Sequence, residues 1–396
     1  MTAAPAAPVT VTARNAVALV FALNGLCFAT LVSRVPDLRE SLDLSNGALG
    51  ALLLSVAVGS MVGMPVSGHL IERWGAGAVV RLGAVSDLVG LVVAGAMATS
   101  GSAPGTALGL LLYGFGTGVW DVAMNVDGAA VERELGRSIM PRFHAGWSLG
   151  TFTGAGIGAV AAALGVPLAV HYAVVPALAV GTAYVACRYL LPAESEQGDE
   201  PGDGPARSAW LEPRTLAIGL MVLAFTLAEG AANDWLALAL VDGYGARHWV
   251  GVVGFALFVA AMTTGRVCGP VALDRFGRAA SMLASAAAAC VGVLVVVWSG
   301  VAALAVVGIL LWGFGAALGF PVGMSAAADE PARAARRVSV VSTIGYGAFL
   351  AGPPLLGFVG DQVGTLRSLL VIAIAMVPAA VLVLSVRRPA AVSSTG

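Results

Sequence analysis

Apolar stretches long enough to cross a bilayer recur along the whole 396-residue chain. Twelve can be drawn, at 15–33, 47–70, 78–99, 105–128, 142–164, 167–190, 214–240, 249–271, 279–299, 301–326, 338–359 and 366–386. A helix needs about 20 apolar residues to span the hydrocarbon layer. Backbone polar groups find no partner in lipid, so only helices or a closed barrel can span it. Barrel strands alternate apolar and polar residues, and these stretches do not. Composition agrees: 58% of residues are hydrophobic and 11% charged, with mean hydropathy +0.90. Soluble domains carry about 25% charged residues, so a soluble enzyme, a secreted disulfide scaffold and a disordered chain are all excluded.

The few charges are ordered. All 21 basic side chains are arginines, and the net charge of −1 provides no field to attract nucleic acid. With the N-terminus in the cytoplasm, sixteen arginines fall in inside segments and four (Arg34, Arg39, Arg247, Arg367) outside, while Arg266 sits within a span. That bias predicts both termini inside and a multi-pass protein of a bacterial-type plasma (inner) membrane. Residues 1–14 lack a signal-peptide pattern and read as a cytoplasmic tail, as do 389–396. Residues 192–213 are acidic and rich in Pro and Gly, which predicts a flexible cytoplasmic linker between six-helix bundles at 15–191 and 214–388. The four cysteines lie singly in apolar segments and read as packing residues. No two of the four histidines share metal-ligand spacing, and neither metal nor cofactor is expected.

The two halves repeat. GHLIERWG at 68–75 matches PVALDRFG at 270–277, and GLLLYGFG at 109–116 matches GILLWGFG at 308–315. Parallel six-helix repeats joined by a long loop suit a transporter whose halves rock about a central site. The expected fold is therefore an all-α integral membrane protein of twelve transmembrane helices in two pseudo-symmetric bundles.

These motifs resemble the major facilitator superfamily over essentially the whole chain. Its loop signature G-x-x-x-(D/E)-R-x-G reads here Gly68, Glu72, Arg73 and Gly75; the second copy has Asp274, Arg275, Gly277 and Arg278, with Pro270 in place of its first glycine. SRVPDLRESL (33–42), DVAMNVDGAAVERELGRSIMPRFHAGWSLG (121–150) and AEGAANDW (228–235) are similar to the rhizopine-transport-protein (MosC-like) subgroup, itself distantly like fucose permeases. The resemblance implies the fold and a transport role, and leaves the substrate open.

Ionisable residues inside spans are functional candidates by default. Asp121, Glu229 and Asp234 are candidate proton-coupling groups, and Asp87 suits a packing contact. Each of the first three also suits a fixed polar contact between helices. Counting residues from the inner ends of the drawn spans puts Arg266 nearer in depth to Asp121 than to Glu229, which speaks against a direct Glu229–Arg266 pair and leaves Asp121, Glu229 and Asp234 open as its partner. Asp121 and Asn125 share a helix face. With Asn24, Tyr113, Trp120, His144 and Trp312 they form the candidate substrate surface, since aromatic faces stack on sugars or hold cations and amides bond polyols. Glu72, Arg73, Asp274, Arg275 and Arg278 are candidate gating charges. Gly146, Gly150, Gly154 and Gly158 bare one face of span 5 for close helix approach. The sequence contains no GxxxxGK[ST] loop, which favours secondary over nucleotide-driven transport. The expected function is a monomeric, non-enzymatic secondary transporter working by alternating access. Its partners would be the bilayer, protons and a small polar solute of sugar or polyol type. A proton-antiport drug or metabolite exporter and a non-transporting membrane sensor are the rival readings.

Overall fold

A computed structural model of the protein describes residues 8–191 and 208–387; these are helical, with no strand among them. The described residues form twelve long helical segments: α1 (Pro8–Val32), α2 (Asn46–Trp74), α3 (Ala76–Thr99), α4 (Ala103–Leu135), α5 (Met140–Ala163) and α6 (Leu168–Ala186), then α7 (Pro213–Tyr244), α8 (248–276), α9 (278–298), α10 (Ala302–Ala327), α11 (Ala334–Val363) and α12 (Thr365–Val386). Ten of the helical stretches are long and apolar enough to cross a membrane by themselves. One of these, Trp249–Trp298, is 50 residues long. At 1.5 Å per residue it would measure about 75 Å, over twice the hydrocarbon thickness. It breaks into α8 and α9 at Gly277, whose φ of 79° no helix allows. The twelfth, α5, is 24 residues long.

Most of the linker expected at 192–213 lies outside the described residues, as do positions 1–7 and the C-terminal tail. Helix α1 begins at Pro8, within the segment 1–14 read as a tail. Several helices also outrun the drawn spans. Apolar length marks the hydrocarbon crossing, whereas backbone hydrogen bonding continues into polar sequence, as in α4 down to Leu135.

The chain forms two compact units: residues 1–206 with 331–343, and residues 207–330 with 344–396. Each exposes many large apolar side chains, as a lipid-facing surface requires. Phe152 is 78% exposed in the first unit and Ile374 69% in the second. Trp74, Trp249 and Trp298 stand exposed at helix ends, where interfacial belts form.

Local sequence sets the helix starts. Ser45 and Ser102 accept the backbone N–H of Ala48 and Gly105, both at 3.3 Å. Glu132 accepts from the N–H groups of Ile139 and Met140, each at 2.8 Å, and so caps the start of α5. Hydroxyls buried among the helices donate back to the carbonyl one turn earlier, as Thr30 does to Leu26 at 2.8 Å.

The internal repeat survives in the backbone. The closing glycines of the two loop motifs, Gly75 and Gly277, adopt nearly the same conformation, with φ of 78° and 79°. Each lets the chain leave one helix and begin the next at once. The repeat also fixes two helix crossings. A side-chain carbon at Gly90 of α3 would lie 2.7 Å from the Gly109 carbonyl of α4, and one at Gly292 of α9 would lie 2.6 Å from that of Gly308 in α10.

The glycine face of α5 packs on α1. A carbon added at Gly150 would lie within hydrogen-bonding distance or closer of the Ala22 carbonyl, and one at Gly154 would lie 2.7 Å from that of Leu26. Gly156, on the same helix, has open space. Gly150→Ala is therefore expected to destabilise the protein by about 1–3 kcal/mol or more through forced helix separation. Gly156→Ala should be neutral or stabilising by up to about 1 kcal/mol through helix propensity. Thermal unfolding of both variants in detergent checks the opposite signs.

Candidate functional site

In the first unit the polar interior is assembled on α4 and α5. Asp121 lies near the middle of the 33-residue α4, deeper than its drawn span suggested, because that helix extends to Leu135. The Asn125 amide donates to the Asp121 backbone carbonyl at 2.9 Å. Its side-chain oxygen meets His144 Nε2 at 3.1 Å, so the ring nitrogen that faces it carries the proton. The ring of Phe21 in α1 packs edge-on against the imidazole, with centroids 5.1 Å apart. One turn along α5, Trp147 Nε1 donates to Asn24 Oδ1 at 2.9 Å, joining α5 to α1 again. The Asn125 and His144 side chains thus meet, with Asp121 joined through its backbone carbonyl; all three are buried, and Asn24 belongs to the adjoining contact.

Other predicted positions lie elsewhere. Tyr113 is fully buried in an apolar cluster with Leu31, Leu91, Leu110 and Tyr172, and Trp120 is fully buried as well. Asp87 is fully buried against α4, where the Thr117 hydroxyl donates toward its carboxylate at 3.2 and 3.3 Å.

The first loop motif also has a geometric reading. Glu72 pairs with Arg336, at 2.5 Å to Nε and 2.8 Å to Nη2. Ser339 donates to the Met64 carbonyl at 2.5 Å. Both partners come from 331–343, the segment that joins the first unit although it opens α11. Gly68 explains the motif's leading glycine: a carbon there would lie 3.1 Å from the Arg336 backbone. Arg73 is exposed.

In the second unit the corresponding charges are arranged differently. Asp329 receives Arg278 and Arg214, each at 2.6 Å, and Arg214 also reaches the Ser385 and Arg387 carbonyls at 3.1 and 3.2 Å. Asp274 and Arg275 are exposed, with the Arg275 guanidinium 5.3 Å from the Phe276 ring. Sequence reasoning missed both partner residues, Arg336 and Asp329. The only signal was the charge-rich stretch DEPARAARR at 329–337.

One expectation is overturned. Arg266 pairs directly with Glu229, Nη2 lying 2.9 and 3.1 Å from its two carboxylate oxygens. The depth count failed because α8 runs on to residue 276, five residues past the drawn span, which places Arg266 deeper. The long arginine stem covers what offset remains. Glu229 stands at the middle of the 32-residue α7. Just beyond it, Ala232–Leu236 form a π-turn. The indole of Trp312 is fully buried, stacks edge-on with Phe258 at 5.4 Å, and donates to the Ala228 carbonyl at 3.1 Å. Asp234 lies on the π-turn and is exposed.

This arrangement of helices, repeats and buried charges matches a known family. The family model of the Major Facilitator Superfamily matches residues 17–329 and 250–396. The chain belongs to the Major Facilitator Superfamily. It is 33% identical to an uncharacterized MFS-type transporter of Yersinia pestis over 87% of this chain and 88% of that one. It is 27% identical to the membrane protein MosC of Rhizobium meliloti over 90% and 86%. Among solved structures it is similar to FucP in the outward conformation, a major facilitator described elsewhere as the E. coli fucose:proton symporter. The TM-score is 0.80, covering 96% of this chain and 100% of that one at 13% identity, a likeness of fold alone. As a superfamily member the protein is a multi-pass membrane transporter, and its interior charges must be judged as parts of a transport machine.

Removing one partner of a buried pair leaves an uncompensated charge, at a cost of about 3–5 kcal/mol. Arg266→Ala is expected to destabilise by about that much, whereas the double variant Arg266→Met with Glu229→Leu should lose far less. A double-mutant cycle by thermal unfolding in detergent checks this; equal losses in both would show that the pair adds nothing beyond packing.

Proposed function

We propose that this superfamily member carries a small polar solute, of sugar or polyol type, by proton-coupled alternating access. The observation that supports this reading most is the presence of an ionisable locus at mid-helix in each unit, Asp121–Asn125–His144 in one and Glu229–Arg266 in the other. Charged groups within hydrocarbon-depth segments are costly and belong on substrate or ion paths. The likeness to a protein described as a fucose:proton symporter is consistent with it.

In this scheme Asn24, Asn125, His144, Tyr113, Trp120 and Trp312 shape the solute site, with Asp121, Glu229 and Asp234 as the proton-coupling groups. Because their rings are fully buried, Tyr113, Trp120 and Trp312 would reach a solute only after helix movement. The Glu72–Arg336 bridge acts as a clasp that forms in one conformation and breaks in the other, while Arg278 and Asp329 brace the neighbouring helix ends. Arg73, Asp274 and Arg275 complete the gating set. The arginine bias supports a cytoplasmic position for the loop-motif ends and both termini.

The test is uptake by proteoliposomes from a panel of labelled sugars and polyols under an imposed pH gradient. Wild-type protein should accumulate one of them saturably. Asp121→Asn and Glu229→Gln should lower gradient-driven accumulation at least tenfold. Unchanged accumulation in both variants sinks the proton assignment. Binding without flux would favour a sensor, and gradient-driven efflux of apolar cations without sugar uptake would favour an exporter.

A further inference from the structure

On the side of the first loop motif, the ends of α3 and α6 carry positive charge that no described carboxylate balances. Both helices belong to the first unit and meet at both of their ends. A carbon at Gly95 of α3 would lie 3.0 Å from Ala169 at the start of α6, and one at Gly77 would lie 3.5 Å from Leu190, just past the end of α6. The two helices therefore run antiparallel and side by side. At the Gly77 end, Arg81 of α3 holds its guanidinium over the Tyr184 ring of α6, 5.1 Å from the centroid. The same side chain lies beside the Cys187 thiol. Arg188 stands exposed in the turn that follows α6, four residues after Tyr184. Among the described residues neither arginine makes an ion pair, not even with Asp127 of α4, which also lies near Cys187.

An apolar track leads away from these arginines. On α3, Val85, Val89 and Val92 follow Arg81 at spacings of three or four residues, and all three are exposed. On α6 the exposed Val174, Leu178 and Val185 lead toward Arg188 in the same way, and Gly181 between them has open space around it. From Arg81 to Val92 the track measures about 16 Å at 1.5 Å per residue, close to half of a hydrocarbon layer of about 30 Å. Its depth is that of one leaflet. Cations at the polar end of an apolar track one leaflet deep complement a phospholipid, whose phosphate lies at the surface and whose acyl chain lies below it.

We propose that these ends of α3 and α6 bind one anionic phospholipid, with Arg81 and Arg188 on its phosphate and an acyl chain along the exposed track of the two helices. The leaflet is the inner one in the orientation that the arginine bias supports. A guanidinium presents parallel N–H groups that match the oxygens of a phosphate. Basic pockets between helices on the cytoplasmic side take anionic head groups in the same manner. A zwitterionic head group would bring a cation of its own against two arginines, so phosphatidylglycerol is favoured over phosphatidylcholine. Tyr184 acts as a positioning residue, since its ring keeps the Arg81 guanidinium at the α6 side. The inference is independent of which solute is carried.

The test titrates the purified protein in detergent with phosphatidylglycerol or phosphatidylcholine, counting bound lipid by native mass spectrometry and following thermal unfolding. One phosphatidylglycerol should stay bound and raise the unfolding temperature, and phosphatidylcholine should bind at least tenfold more weakly. Arg188→Gln, at an exposed position, should leave the lipid-free unfolding temperature unchanged and weaken phosphatidylglycerol binding at least threefold. Adding Arg81→Gln should bring the loss to at least tenfold. Arg137→Gln is the control: Arg137 is exposed in the turn between α4 and α5, on the same side by the arginine bias, and its loss should change nothing. Equal binding of the two lipids overturns the choice of an anionic ligand. A loss with Arg137→Gln as large as with Arg188→Gln overturns the site in favour of general surface charge. Unchanged phosphatidylglycerol binding in Arg188→Gln and in the double variant overturns the proposal outright.

Discussion

A polar group that meets hydrocarbon has no solvent to turn to, and that constraint shapes many of the contacts described above. Hydrocarbon offers neither donors nor acceptors, so each buried hydroxyl, amide and charge must find its partner within the chain. Thr30 closes on its own helix, Glu132 satisfies two N–H groups at the start of α5, and Trp147 reaches Asn24 in α1. Such contacts need helices that approach closely. The glycines at the crossings of α3 with α4, of α5 with α1, and of α9 with α10 make that approach sterically possible.

The two units show which features of the repeat are fixed and which have drifted. Backbone-determined features persist: Gly75 and Gly277 share one conformation, and the Gly90–Gly109 crossing recurs as Gly292–Gly308. Side-chain chemistry at matching positions has diverged. Tyr113 lies in an apolar cluster, whereas its counterpart Trp312 donates to a carbonyl at the edge of a π-turn. The loop acids differ too. Glu72 is clasped by Arg336, while in the second unit it is Arg278, just after the loop glycine, that is held, by Asp329. A glycine contact allows no substitute without moving a helix, but a polar contact can be rebuilt from other residues.

What was legible in the sequence follows the same division. Apolar length located the crossing helices, and the repeated glycine patterns marked crossings that recur in the fold. Partner identities were not legible, because Glu72 and Arg336 are 264 residues apart and no local pattern links them. The Glu229–Arg266 pair was misjudged because depth was counted from the end of an apolar stretch, whereas α8 continues through Asp274 and Arg275. The π-turn had no signal at all: AANDW contains neither proline nor glycine, and the Ala228 carbonyl ahead of it accepts from a tryptophan 84 residues away in α10. For the candidate substrate positions, residue type was readable from the sequence, but burial was not. That is how Trp120 and Asn125 could be read as one surface with Tyr113 when Tyr113 belongs to an apolar cluster.

The Glu229–Arg266 pair also constrains how a proton could do work here. Guanidinium stays charged at any physiological pH, so Arg266 cannot respond to protonation by losing its own charge. Neutralising Glu229 would withdraw the compensation it gives to an arginine that is only 3% exposed. Breaking a buried pair in this way costs about 3–5 kcal/mol unless the remaining charge gains another acceptor or water. A step that removes the Glu229 charge is therefore favoured together with a rearrangement that re-solvates or re-pairs Arg266. In the proposed alternating-access cycle, that requirement ties the state of one acidic side chain to the conformation of the helices around a fixed positive charge.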